Sequence, residues 1–122
     1  NKNVTPYKED YSISFFRQSS SYNVAVFNRE SDSTDNKIVL LSKSGKLKYT
    51  VKYSGAINDI CVKGRNIYCL SDTGITVLDF EGNIKTVSVY GFGGVGLHVT
   101  SANVAVVVTD NEIFRVKTNE EG

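Results

Sequence analysis

The chain has 122 residues, of which 40% are hydrophobic and 22% charged, and a formal net charge of +1. That length suits one compact domain, burying roughly two thirds of the surface its unfolded chain would expose. Near-neutral charge argues against a dedicated nucleic-acid binder, which would need a basic stripe to neutralise phosphates. Recurrent Val, Ile, Leu, Tyr and Phe exclude disorder, and no apolar run is long enough to insert in a bilayer.

In chain order, Val4, Thr5, Pro6 and Tyr7 form a first short extended candidate. Residues 11–16, 22–27, 37–41 and 47–53 then read as four strands. The fourth alternates, with Leu47, Tyr49, Val51 and Tyr53 on one face and Lys46, Lys48, Thr50 and Lys52 on the other. Lysines along one side are how an outer strand avoids pairing with another chain. Residues 57–62, 66–70, 75–80 and 84–89 supply four more strands. Residues 97–100, 104–108 and 113–117 supply three, and the chain reaches Gly122 before a further one. No stretch has a helical period. Gly45 and Gly82 sit where hairpin loops take a left-handed residue.

These elements recur. Tyr22-Asn23-Val24-Ala25-Val26-Phe27 parallels Arg65-Asn66-Ile67-Tyr68-Cys69-Leu70 and then Ala102-Asn103-Val104-Ala105-Val106-Val107. Asn66 and Asn103 lie 37 positions apart, as do Gly45 and Gly82. Asn23 and Asn66 lie 43 apart, the excess matching a polar insertion around residues 30–35. Four antiparallel strands in about 40 residues, repeated, form the pattern of a β-propeller blade. Such a sheet cannot bury both faces alone and stacks on its neighbours. The expected fold is all-β: about three four-stranded antiparallel β-propeller blades in units 11–54, 55–92 and 93–122, the last incomplete. A small β-sandwich is the alternative. Closed propellers have ~4–8 blades, so three imply a partial propeller or closure by oligomerisation. Residues 4–7 are candidates for the missing outer strand of the third unit. The absence of Met and the start at Asn1 read as a processed product or a segment of a longer protein.

A family resemblance follows from Ile57-Asn58-Asp59-Ile60, Asn66-Ile67-Tyr68, Gly74-Ile75-Thr76-Val77 and Phe80-Glu81-Gly82. This text resembles the blades of a bacterial family of propeller proteins built on a domain of unknown function. Those proteins are tethered outside the cell by an N-terminal membrane helix, and the chain resembles their C-terminal part across residues 11–116. Related repeats occur in WD40-like and quinoprotein-like propellers, although the tryptophan motifs of both are missing because the chain has no Trp. The resemblance implies an extracytoplasmic binding scaffold and carries no catalytic residue to transfer.

Chemical motifs are sparse. Gly91-Phe92-Gly93-Gly94-Val95-Gly96 satisfies GxGxxG, but a dinucleotide site needs a helix next, and Leu97-His98-Val99-Thr100 reads as a strand. The plain reading is a connection between blades. His98 between Leu97 and Val99 is expected to be packed, and a triad with Ser101 and Asp110 lacks a nucleophile elbow. Ser31, Asp32, Asp35 and Asn36 offer oxygen ligands without the spacing of a calcium loop. Cys61 and Cys69 suit either a bridge between neighbouring strands or buried thiols. With one distant histidine they make no zinc site. No cofactor is expected.

Blade topology offers a better clue. One end would carry Glu30, Asp32, Asp35, Asp72, Asp110 and Glu112 with Tyr53, Tyr90 and Phe92. The other would carry Arg17, Lys43, Lys46, Lys63 and Arg65, with Glu81 as the main exception. Acidic residues also simply suit turns. Read functionally, Tyr53, Asp72, Tyr90, Phe92 and Asp110 form a face for a protein or carbohydrate partner, where rings stack and carboxylates accept hydrogen bonds. The first expectation is a non-enzymatic extracytoplasmic interaction scaffold. The alternative is a lectin-like module closing into a ring as a homo-oligomer, and the third is a piece of a propeller hydrolase with its catalytic groups elsewhere.

Overall fold

The computed structural model describes residues 11–29, 31–101 and 104–118. They hold β1 Ser12–Gln18, β2 Asn23–Arg29, β3 Asp32–Leu41, β4 Leu47–Ser54, β5 Asp59–Lys63, β6 Asn66–Leu70, β7 Gly74–Leu78, β8 Ile84–Val89, β9 Gly96–Ser101, β10 Val104–Val108 and β11 Ile113–Lys117. Each strand pairs antiparallel with its sequence neighbour in three open sheets, β1-β2-β3-β4, β5-β6-β7-β8 and β9-β10-β11. Three sheets stand where a sandwich would have two. Candidate strand residues 4–7, Glu30 and the repeat landmark Asn103 lie outside the described residues.

Alternation along each strand explains the stacking, because successive side chains point to opposite faces. β6 sends Ile67 and Cys69 toward the first sheet, where they join Val24, Val26, Ile38, Leu40 and Val51. It sends Tyr68 and Leu70 the other way, into a cluster with Val99, Ala105 and Val107 of the third sheet. β-branched and aliphatic residues at these positions fit a pleated surface covered on both sides. Burying each such side chain stabilises the fold by about 1.5–3 kcal/mol. The turns obey the same logic: Gly45 and Gly82 adopt φ of 93° and 94°, a left-handed conformation that penalises any Cβ.

Two further contacts tie the sheets together. Tyr22, Tyr49 and Phe80 pack as an aromatic trio, with Tyr22 edge-on to Phe80 at 5.4 Å and Tyr49 tilted against it at 4.8 Å. The Arg65 guanidinium caps Phe80 at 4.8 Å. At the first strands, the buried Asp59 carboxylate reaches both neighbours. Its Oδ1 accepts from Arg17 Nε of β1 at 2.8 Å, and its Oδ2 accepts from Leu97 N of β9 at 2.8 Å. A third bond comes from its own neighbour, Ile60 N, at 2.9 Å. Arg17 is therefore paired rather than a free cation of the basic end.

Two expectations need correction, and one open alternative is resolved. β3 begins at Asp32, five residues before the expected start at residue 37. Asp32 Oδ1 accepts from Thr34 N and Thr34 Oγ1, and the β2–β3 register shifts beside Arg29, so the polar insertion extends the hairpin. His98 is exposed instead of packed, because Leu97 and Val99 on either side of it take the inward face of β9. Cys61 and Cys69 are free. They belong to different core clusters on opposite faces of the second sheet, which separates the thiols.

Candidate ligand cleft between the loops

The loop between β4 and β5, the β6–β7 and β10–β11 turns, and the β8–β9 connection meet at one end of the sheets. There Asn58, Asp72, Gly93, Gly94, Val95, Thr109 and Asp110 line a cleft of about 320 Å³. That falls inside the usual range of roughly 300–1,000 Å³ for small-ligand sites. Asn58 supports the cleft from below: its Nδ2 donates to Asp72 Oδ1 at 2.8 Å and to the Gly94 carbonyl at 3.0 Å. Its backbone N–H donates to Leu70 O, and Val95 N donates to Val108 O at 2.7 Å.

The glycines of the GxGxxG segment are explained by packing. A Cβ on Gly93 would stand 2.4 Å from the Asp72 carbonyl oxygen, and one on Gly94 would stand 2.6 Å from Val107 Cγ1. Both are close approaches of backbone to its neighbours, which only glycine permits. The connection leads directly into β9 at Gly96, without the helix that would face a pyrophosphate.

The candidate residues divide among several places. Asp72 and Asp110 come together in the cleft, both exposed. Tyr53 lies apart, lining a smaller concavity with Asp35, Lys52 and Ser54. Phe92 stacks on Phe114 at 4.4 Å and on Tyr90 at 5.6 Å, so both of its neighbours come from the protein. Tyr90 donates its hydroxyl to the Lys117 carbonyl at 3.2 Å. Burial raises the Tyr90 phenol above its ordinary range, although the Ser88 hydroxyl opposes the shift.

Other constellations dissolve in the same way. Ser101 stands opposite Val104 while Gly96 stands opposite Val108, so Asp110 and Ser101 occupy opposite ends of the β9–β10 ladder. Four residues of strand separate those ends by about 13 Å, beyond the reach of a triad. Asp35 accepts from Arg29 Nε at 2.7 Å and from the Tyr11 hydroxyl at 3.1 Å. Burial opposes ionisation there, but the hydrogen bonds from Arg29 and Tyr11 and the charge of Lys52 hold its carboxyl below the usual range. The Asn36 amide donates to the Gly55 and Ser33 carbonyls. These groups satisfy one another rather than facing a common centre.

Asn58 and Thr109 belong to the cleft without having stood out as candidates. The one available signal was Asn58-Asp59, a polar pair directly before the apolar run Ile60-Cys61-Val62. Comparison with known proteins found no match among curated proteins and none among solved structures. A family model does match, over residues 2–118, and by that match the chain belongs to a family of unknown function (DUF5711).

Proposed function

We propose that this chain is a non-enzymatic binding scaffold of β-propeller type, working outside the cytoplasm, whose ligand seat is the Asn58–Asp72–Asp110 cleft. The three stacked sheets correspond in this reading to two blades and a three-stranded part of another. One observation carries it: the cleft is braced by Asn58 and by glycine-dependent packing, and among the described residues its only charged lining groups are two carboxylates. A braced rim loses little freedom on binding. Two carboxylates favour a partner segment that presents an ammonium or guanidinium group. Thr109 is committed to its own turn, where its hydroxyl accepts from Glu112 N at 3.1 Å. Recognition by acceptors, rather than bond making, is what the lining suits.

The protein partner is favoured over carbohydrate by the aromatic side chains. Sugar recognition needs an open ring face, and Phe92 has Tyr90 and Phe114 stacked on it. The test is a calorimetric titration of the chain with lysine-rich peptides and, in parallel, with neutral oligosaccharides. Peptide binding is expected, weakened about tenfold or more in Asp72→Asn/Asp110→Asn as charge-assisted bonds are lost. Peptide binding that survives this double change would sink the site assignment. Saturable sugar binding sensitive to the same change would transfer the cleft to the lectin reading.

A further inference from the structure

At the other end of the first strands lies a second cavity of opposite character. Gln18, Ser19 and Ser20 from the end of β1 and its turn, Cys61, Val62 and Lys63 from β5, and His98 and Val99 from β9 enclose about 210 Å³. All three sheets contribute. Among the described residues its polar lining consists of an ammonium, an imidazole, two hydroxyls, a carboxamide and a thiol, with no carboxylate. The neighbouring acid, Asp59, is not part of the lining and is ion-paired with Arg17 at 2.8 Å. Ser19 Oγ accepts from Val62 N at 3.4 Å, which leaves its own O–H to donate.

We infer that this cavity is a site for a tetrahedral oxyanion, a phosphate group either free or carried as a monoester on a larger ligand. Such a group needs several donors converging from different directions and at least one cation to offset its desolvation. Lys63 supplies the point charge, and Ser19, Ser20, Gln18 and His98 supply further polar groups along the lining. The inference is independent of the cleft at the loop end, which lies on the far side of the same strands and has the opposite charge.

The test follows backbone amide NMR signals of the chain while inorganic phosphate, and separately glycerol phosphate, is added at constant ionic strength. Saturable shifts are expected at residues 18–20, 61–63 and 98–99. Lys63→Gln should weaken binding about tenfold, the scale of losing one charged partner, and His98→Gln should weaken it less. Both side chains are exposed, so neither change threatens the fold. Lys43→Gln, on the neighbouring β3–β4 turn, should leave the affinity unchanged. Tighter binding of glycerol phosphate assigns the site to a phosphorylated ligand, and tighter binding of inorganic phosphate assigns it to the free anion. The proposal is overturned if the shifts do not saturate, if chloride reproduces them, or if Lys43→Gln weakens binding as much as Lys63→Gln.

Discussion

The second sheet and the third are built from similar residues, yet they differ in what they bury. β5 to β8 pack Ile60, Val62, Ile67, Cys69 and Leu78 against the first sheet and Tyr68, Leu70, Ile75 and Val77 against the third. The third sheet covers only its inward face, and β11 leaves Ile113 73% exposed. An isoleucine is therefore core on β6 and surface on β11, and the outer strand β8 of the second sheet likewise leaves Ile84 60% exposed. What decides is whether a neighbouring sheet stands opposite, because stacked open sheets gain stability at each interface they form.

The sharpest way to break this comparison is a matched pair of truncations. Ile67→Ala, at a fully buried position, should cost about 4 kcal/mol through lost transfer energy and the cavity left behind. Ile113→Ala should change stability by no more than about 0.5 kcal/mol. Urea denaturation reads both, and similar losses would mean that something covers β11. A smaller effect belongs to the carboxylate that joins the sheets. Asp59→Ala should cost about 3 kcal/mol, because it removes three hydrogen bonds and leaves Leu97 N without its acceptor. A loss below about 1 kcal/mol in that variant would show that apolar contact alone holds the sheets together.

The least effect is expected at the exposed β7–β8 turn. The Asn83 backbone N–H, then its side chain, and the Glu81 and Gly82 N–H groups hold the Asp79 carboxyl below the ordinary carboxylate range. Its folded pKa thus lies below its unfolded one, so the unfolded chain binds more protons in that window. The turn's contribution is complete above the unfolded carboxylate pKa and is lost as pH falls through the folded one. Asp79→Asn should therefore be less stable than the parent at neutral pH, with the gap closing under acid. A gap that persists unchanged in acid would remove the carboxylate from the account.

The two cavities show how legibility varies across one molecule. Asp72 and Asp110 could be placed at one end from strand order alone, since alternate turns of an antiparallel sheet share an end. The role of Gly93 and Gly94 could not, because it depends on how near the connection passes to Asp72 and Val107. Phe92 looked available for a ligand in a glycine-rich stretch, whereas Phe114, 22 positions away, turns out to be its stacking partner. The phosphate cavity draws on β1, β5 and β9, whose residues lie about 40 positions apart.

Period-two alternation and turn glycines by themselves determined the strands and their hairpin order, for these are local properties of backbone geometry and side-chain burial. β6, β8, β10 and β11 run over the residues that this pattern marks. Tertiary structure decided which face of each sheet is core, which thiols and rings point where, and which acids are already paired. Asp59 is the clearest case: its neighbours in the chain mark it only as a polar residue near the start of an apolar strand. Its partners Arg17 and Leu97, 42 and 38 positions away, make it the joint of three sheets. Charge pairing and burial are set by distance in space, which a linear order of residues does not contain.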